Sequence, residues 1–438
     1  MKTPISPEPL PTEALLPLLS RLEAPVHEAL RAALEDTPLS WQRALPLTEV
    51  TGPALHALCL VADTLRARQA GELVTYVVNR NINFTNVCVK TCSFCAFARG
   101  HRSEQGYLLE PEEIVRRAKE AQALGATEVC LQAGIAPGLT VRYYADLVRA
   151  VRAGAPGLHV HGFSPEEVSH AAEREHRPVD DVLRELQEAG LGSLPGTAAE
   201  ILDDELRDVI ARGRLSTARW IEVVTTAHRL GLRTTATMMY GHLETPVHVV
   251  KHLDLLRALQ EETGGFTEFV PLSFVHQDSP LYRQGQVPGV RPGATGVEVI
   301  RTHALARLML GASFRNIQAS WVKDGVKMAQ WLLSCGVNDL GGTLMNESIS
   351  TAAGASHGQL VPPRELRRLV RECGRTPAER TTLYALRHVH DGPETEAPGA
   401  LDALEKPEET FGSYRQLTTA RDSRFDLLRL RQSRGGDT

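Results

Sequence analysis

Three cysteines are crowded into eight residues, Cys88-Val89-Lys90-Thr91-Cys92-Ser93-Phe94-Cys95, with the spacing C-x₃-C-x₂-C. Soft thiolate ligands on one loop suit an iron–sulfur cluster or zinc. A closed structural site takes four ligands, and no fourth cysteine lies nearby. Three thiolates therefore leave one metal position open for a substrate or cofactor. Two plainer readings stand beside this one: a zinc site completed by a distant histidine, and three cysteines that bind no metal. Cys59, Cys130, Cys335 and Cys373 are scattered and read as core residues. His161, His242 and His276 fall at or just beyond predicted strand ends, where each is a candidate general acid–base or a structural side chain. Asn79, Asn81 and Asn83 recur at period two on one strand face. Inside a buried strand such amides need partners, either neighbouring strands or a polar ligand.

These residues must be positioned by the elements around them. After about 70 helical residues, short β-branched runs alternate with amphipathic helices. Strands are predicted at 74–84, 127–132, 158–163, 191–194, 233–240, 267–275, 314–321 and 338–345, with a helix between each successive pair. Ser164-Pro165-Glu166-Glu167 is a capping box with proline at the first helical position. Eight strands alternating with helices argue for parallel pairing and right-handed crossovers. The expected fold is α/β: a (β/α)₈ barrel over 74–355, a helical extension over 1–73, and a mostly helical segment and tail over 356–438. A doubly wound sheet is the alternative, but no G-x-G-x-x-G opens a helix after the first strand. The cysteine loop then falls at the carboxyl end of strand one, the face where barrel enzymes build their sites.

Hydrophobic residues make up 42% and charged residues 23% of the 438, the balance of a soluble globular chain. A net charge of −5 speaks against a broad nucleic-acid-binding field. No apolar run approaches the ~18 residues of a membrane span. The proline-punctuated first 17 residues lack the regions of a signal peptide, so the expected location is the cytoplasm, where thiols stay reduced.

C-x₃-C-x₂-C after the first strand of an α/β barrel, with the aromatic Phe94 before the last cysteine, resembles the radical S-adenosylmethionine (SAM) superfamily. The resemblance implies a [4Fe–4S] cluster on Cys88, Cys92 and Cys95, with SAM chelated at its open iron. Electron transfer then cleaves SAM to methionine and a 5′-deoxyadenosyl radical. Gln132-Ala133-Gly134 stands where relatives carry a turn that meets the SAM amino group. Met239-Tyr240-Gly241-His242-Leu243-Glu244 resembles a segment packing near adenine, and Glu200 is a candidate either to reach the ribose or to cap its own segment. These, with Phe94, are the expected cofactor-binding positions.

Longer stretches narrow the likeness, among them Tyr76-Val77-Val78-Asn79-Arg80-Asn81-Ile82-Asn83-Phe84-Thr85-Asn86, His159-Val160-His161-Gly162-Phe163-Ser164-Pro165 and Asn338-Asp339-Leu340-Gly341-Gly342-Thr343. They resemble the group of deazaflavin and futalosine-pathway enzymes, and most of all the family of FO synthase second subunits. That likeness implies transfer of the 4-hydroxybenzyl group of L-tyrosine to 5-amino-6-(D-ribitylamino)uracil, with 2-iminoacetate leaving. The product would pass to a second radical SAM subunit that closes the deazaflavin ring of FO, the coenzyme F420 chromophore, and an electron donor would reduce the cluster. Asn79, Asn81 and Asn83 would meet the ribityl chain. Aminofutalosine synthase and dehypoxanthine futalosine cyclase share the barrel and cluster and stand as alternatives. So does a non-catalytic iron–sulfur or zinc interaction module.

Overall fold

The computed structural model describes residues 11–90, 92–393, 398–420 and 422–427. Residues 1–10 and most of the basic run at 421–434 lie outside them. Four helices come first, Thr12–Leu19, Ala24–Leu34, Trp41–Ala44 and Gly52–Ala70. The last of these packs along the helix Gly296–Leu310 and fixes the extension to the barrel.

The barrel strands are β1 (Leu73–Val77), β2 (Asn79–Ile82), β3 (Glu128–Leu131), β4 (His159–Gly162), β5 (Ser193–Leu194), β6 (Arg233–Tyr240), β7 (Phe266–Ser273) and β8 (Asp339–Gly342). Strands β2 to β7 form one parallel sheet in chain order, and β8 pairs with β1. Helices cover the outside. On Thr217–Arg229, Trp220, Val223, Val224 and Ala227 are all buried, one apolar stripe at helical spacing. Ser164 and Glu167 cap the helix Pro165–Glu175 reciprocally, as the capping box predicts. No helix among the described residues is long and apolar enough to cross a membrane.

Three elements differ from the sequence reading. The first predicted strand is split at Val78, where it changes neighbour. Below that residue β1 pairs with a late strand, β9 (Thr376–Arg380); above it β2 pairs with β3. The predicted strand at 314–321 closes the ring through isolated parallel bridges, Phe269 to Ile317 and Gln318 to Asp339, without forming a continuous ladder. Side-chain amides occupy backbone positions there: Asn316 donates to Thr267 O at 2.9 Å, and Asn338 Oδ1 accepts from Ile317 N at 3.0 Å. The segment after 356, expected as mostly helical, also contributes β9 and the antiparallel β10 (Leu386–Val389).

Candidate active site

The cysteine loop leaves the carboxyl end of β2 and is pinned at its neck. Fully buried Asn86 accepts from Tyr107 N at 2.9 Å and donates to Gln105 O at 3.0 Å. Cys88 N donates to Arg99 O, Val89 N to Ile135 O, and Ser93 N to Ile210 O, all within 3.0 Å. The loop is thus held by backbone from three neighbours, and none of its thiols is in a disulfide. Cys88, Cys92 and Cys95 are free and line one cavity. Burial pushes the Cys88 thiol up, and pushes Cys92 to about 12 against the pull of Arg214. The four other cysteines do not line this cavity.

Among the described residues, no three His, Cys, Asp or Glu side chains are arranged to hold a single metal ion. A cubane cluster does not require that convergence, because each thiolate takes a different iron. Three soft donors on one loop, opening on a cavity without a fourth cysteine, fit a site-differentiated [4Fe–4S] cluster.

The cavity wall beside the loop is charged. Glu166 meets Lys90 Nζ at 3.0 Å and Arg214 Nε at 3.2 Å; Glu200 meets Arg214 Nη1 at 2.8 Å and Arg207 Nη1 at 3.3 Å. The Arg214 guanidinium lies 5.8 Å from the Phe94 ring centroid. Burial alone would lower its pKa, but Glu200, Cys92 and Glu166 hold it above the ordinary value. Arg207 also binds the carbonyls of Ala198 and Ala199, holding Ala198 and Glu200 at positive φ of 75° and 38°. That backbone is strained for residues with a Cβ, and the strain sits at the cavity. Glu167 accepts from Ser164 through one oxygen, while its buried Oε1 has no partner. Burial raises this carboxyl to about 7.

Phe94, Gln132, Gly134 and Glu200 line the cavity. Gln132 donates to Thr197 Oγ1 at 2.7 Å. A Cβ on Gly134 would lie 2.4 Å from Val87 O, so only glycine lets this turn approach the cysteine loop. Gly241 and Glu244 lie elsewhere. Glu244 binds the amides of Gly241 and His242 and the guanidinium of Arg291, closing the loop after β6 on itself. Gly241, at φ 91°, is required there because a Cβ would meet Ala294 N at 2.5 Å.

Strand register sorts the remaining candidates into layers inside the barrel. Asn79, Glu128 and His159 are level; one step up, Asn81, Cys130, His161 and Ser193 are level. Asn79 is fully engaged, donating to Glu128 at 2.9 Å and accepting from Leu344 N at 2.9 Å. Asn83 donates to Gln132 O at 2.8 Å, and its buried Oδ1 has no partner. His161 lies inside the barrel rather than at its rim, since the chain turns out only at Phe163 and Ser164. Its Nδ1 meets Ser193 Oγ at 2.7 Å, and burial lowers its pKa to about 4 despite the Glu128 carboxylate.

The other two histidines do not join it. His242 is fully buried, with Nε2 on Met239 O at 3.0 Å and Nδ1 accepting from Leu243 N at 2.7 Å. His276 stacks edge-on against Tyr282 at 4.7 Å. None of the three histidines lines the cavity, and neither do Asn79, Asn81 and Asn83. Sequence reasoning missed Lys90, Glu166, Glu167, Arg214 and Lys323, all on the cavity wall. Charged residues just past strand ends were the available pointer, and the capping box had already drawn attention to both glutamates for a different reason.

A parallel barrel carrying three cysteines on the loop after its first strand defines a radical SAM protein, and residues 82–256 match the Radical SAM superfamily. Residues 263–392 match the CofH/MqnC C-terminal region. The chain belongs to the radical SAM family that includes the 5-amino-6-(D-ribitylamino)uracil–L-tyrosine 4-hydroxyphenyl transferase of Methanothermobacter thermautotrophicus, to which it is 51% identical over 80% of its own length and 94% of that protein. It is also 51% identical to the FO synthase of Mycobacterium leprae, over 84% of this chain but 42% of that longer protein. Methylornithine synthase shares the fold, with a TM-score of 0.63, 19% identity, and coverage of 80% of this chain and 97% of that one.

Proposed function

We propose that the protein transfers the 4-hydroxybenzyl group of L-tyrosine to 5-amino-6-(D-ribitylamino)uracil, the first of the two radical steps that make FO. The observation that carries this reading is the 51% identity spanning 94% of a relative named for that transfer. The interior supports it. Above the fully paired Asn79 layer, the barrel offers Asn83 Oδ1 without a partner, and a ribityl chain supplies hydroxyls to meet it. Asn81 and His161 share the layer just below Asn83.

Cys88, Cys92 and Cys95 would hold the cluster. Phe94, Gln132, Gly134 and Glu200 would face SAM, with Gly241 and Glu244 shaping the loop behind. Bound there, a reduced cluster with SAM would supply the hydrogen-abstracting radical chemistry that cleavage of tyrosine requires. The chain's own task is to exclude water and to hold protons in place. His161 is neutral at working pH, with Nδ1 fixed by Ser193, so Nε2 is the atom available to exchange a proton with substrate. The product would pass to a separate ring-closing subunit, and an electron donor would reduce the cluster in a reducing, cytoplasmic setting.

Substrate coupling tests the reading. In anaerobically reconstituted protein, SAM cleavage should rise when tyrosine and the diaminouracil are both present. Stimulation by a futalosine-pathway substrate instead would move the protein to the menaquinone branch of the same group.

A further inference from the structure

Lys323 lies just past the seventh stave of the barrel, in the short helix Trp321–Asp324, and lines the cysteine cavity beside Ser273, Phe274 and Ile349. Its backbone is well fixed. Trp321, 1% exposed, donates its indole N–H to Gly342 O at 2.9 Å, and Asp324 accepts from Ser273 Oγ at 2.5 Å. The side chain is half-buried and opens on the cavity, and burial lowers its pKa while Glu347, Asp324 and Cys95 pull the other way. Neither carboxylate makes an ion pair with it: Glu347 caps the amides of Ile349 and Ser350, at 2.9 and 3.0 Å, and Asp324 accepts from Ser273 through Oδ1 while its buried Oδ2 has no partner. Among the described residues, Lys323 Nζ has no hydrogen bond or ion pair. The other lysine on the cavity wall, Lys90, is paired with both Glu166 and Gly213 O. An ammonium that opens on the cavity with no hydrogen bond or ion pair of its own is a ready partner for an anion from outside the chain.

We propose that Lys323 binds the α-carboxylate of the amino-acid substrate, tyrosine on the reading above, and so selects α-amino acids over simple amines. The proposal rests on that reading for the identity of the substrate. A carboxylate supplies the missing charge and one or two charge-assisted hydrogen bonds. It also anchors the end of the molecule that must leave as the glycine remnant, keeping the Cα–Cβ bond in a fixed place during cleavage. The second α-carboxylate entering this cavity belongs to SAM itself, and the test separates the two.

The experiment titrates tyrosine, tyramine (which lacks the carboxylate) and SAM separately into reconstituted full-length wild-type, Lys323→Gln and Lys323→Arg protein, with iron content as the check on folding. Wild-type protein should prefer tyrosine to tyramine at least tenfold. Lys323→Gln should weaken tyrosine binding ~10- to 10²-fold, the scale of a lost hydrogen bond to a buried charge, with tyramine and SAM affinities within twofold. Lys323→Arg should recover part of the loss. Equal affinity of wild-type protein for tyrosine and tyramine would overturn the proposal even if Lys323→Gln failed to fold. A loss of SAM affinity in the variant would overturn it too, assigning the lysine to the cofactor. Tight, Lys323-dependent tyrosine binding without product would uphold the lysine's role and sink the proposed reaction instead.

Discussion

The two ends of the barrel use polar residues in opposite ways. At the amino-terminal end, Arg380 at the end of β9 reaches Asp339 Oδ2 at 2.6 Å and Glu268 at 3.4 Å, with its guanidinium 3.9 Å over the Tyr384 ring. Tyr384 donates to Glu268, and Thr75 Oγ1 to Asp339. The β9–β10 turn thereby ties β1, β7 and β8 together and closes that mouth. At the carboxyl end the three loop cysteines are free of disulfides, and Glu167 Oε1, Asn83 Oδ1 and Asp324 Oδ2 are buried without hydrogen-bond partners. A buried polar group is costly unless paired. At the amino-terminal end the charged groups are paired within the chain and serve stability; at the carboxyl end Glu167 and Lys323 border the cavity, where a ligand can meet them.

The largest effect should come from the open end. Cys88→Ala, Cys92→Ala and Cys95→Ala should each abolish SAM cleavage and lower bound iron, with the thermal transition of the apo-protein little changed. Cys59→Ala, Cys130→Ala, Cys335→Ala and Cys373→Ala should retain iron, and iron loss in any of them would break the comparison. At the closed end, Arg380→Met leaves Asp339 buried without its partner. It should cost about 3–5 kcal/mol in denaturant unfolding, while the surviving folded fraction still cleaves SAM.

His161 lies between the two ends. His161→Gln keeps a hydrogen-bonding side chain but cannot exchange a proton near neutral pH, and product formation should drop ~10²-fold with slow SAM cleavage retained. Its folded pKa of about 4 lies below the ordinary 6.5. The unfolded chain therefore binds the extra proton, and stability falls as pH drops from 6.5 toward 4, by up to roughly 3 kcal/mol from this residue. The variant should show a correspondingly shallower acid limb. His276→Gln should leave product yield within about twofold, as expected of a ring packed on Tyr282 beyond the end of β7 and outside the interior layer that holds His161. A tenfold loss there would mean that the loop after β7 closes over the substrate.

How far the sequence reveals this contrast depends on the element. The cysteine spacing, the capping box at Ser164 and the stripe on Thr217–Arg229 are local patterns, and each is legible residue by residue. The closed end is not, because Arg380 pairs with Asp339 across 41 residues and with Glu268 across 112. Nothing in the local text of 376–389 marks it as two strands docking under the first one. The asparagines show the limit most clearly. Period two places Asn79, Asn81 and Asn83 on one face, yet only the third dimension shows that Asn79 is spent on Glu128 while Asn83 keeps an open acceptor. His242 is misleading for the same reason: a strand-end position does not reveal that its ring turns back onto Met239 and Leu243.

One measurement bears most directly on the central claim. Reconstituted, dithionite-reduced protein is incubated anaerobically with SAM, L-tyrosine and 5-amino-6-(D-ribitylamino)uracil, and the products are read by mass spectrometry. The account predicts a new species with the mass of a 4-hydroxybenzyl adduct of the diaminouracil, formed together with 5′-deoxyadenosine and 2-iminoacetate and absent when any one substrate is omitted. Cleavage of SAM at the same rate without tyrosine and diaminouracil, and with no adduct in the complete mixture, would contradict it.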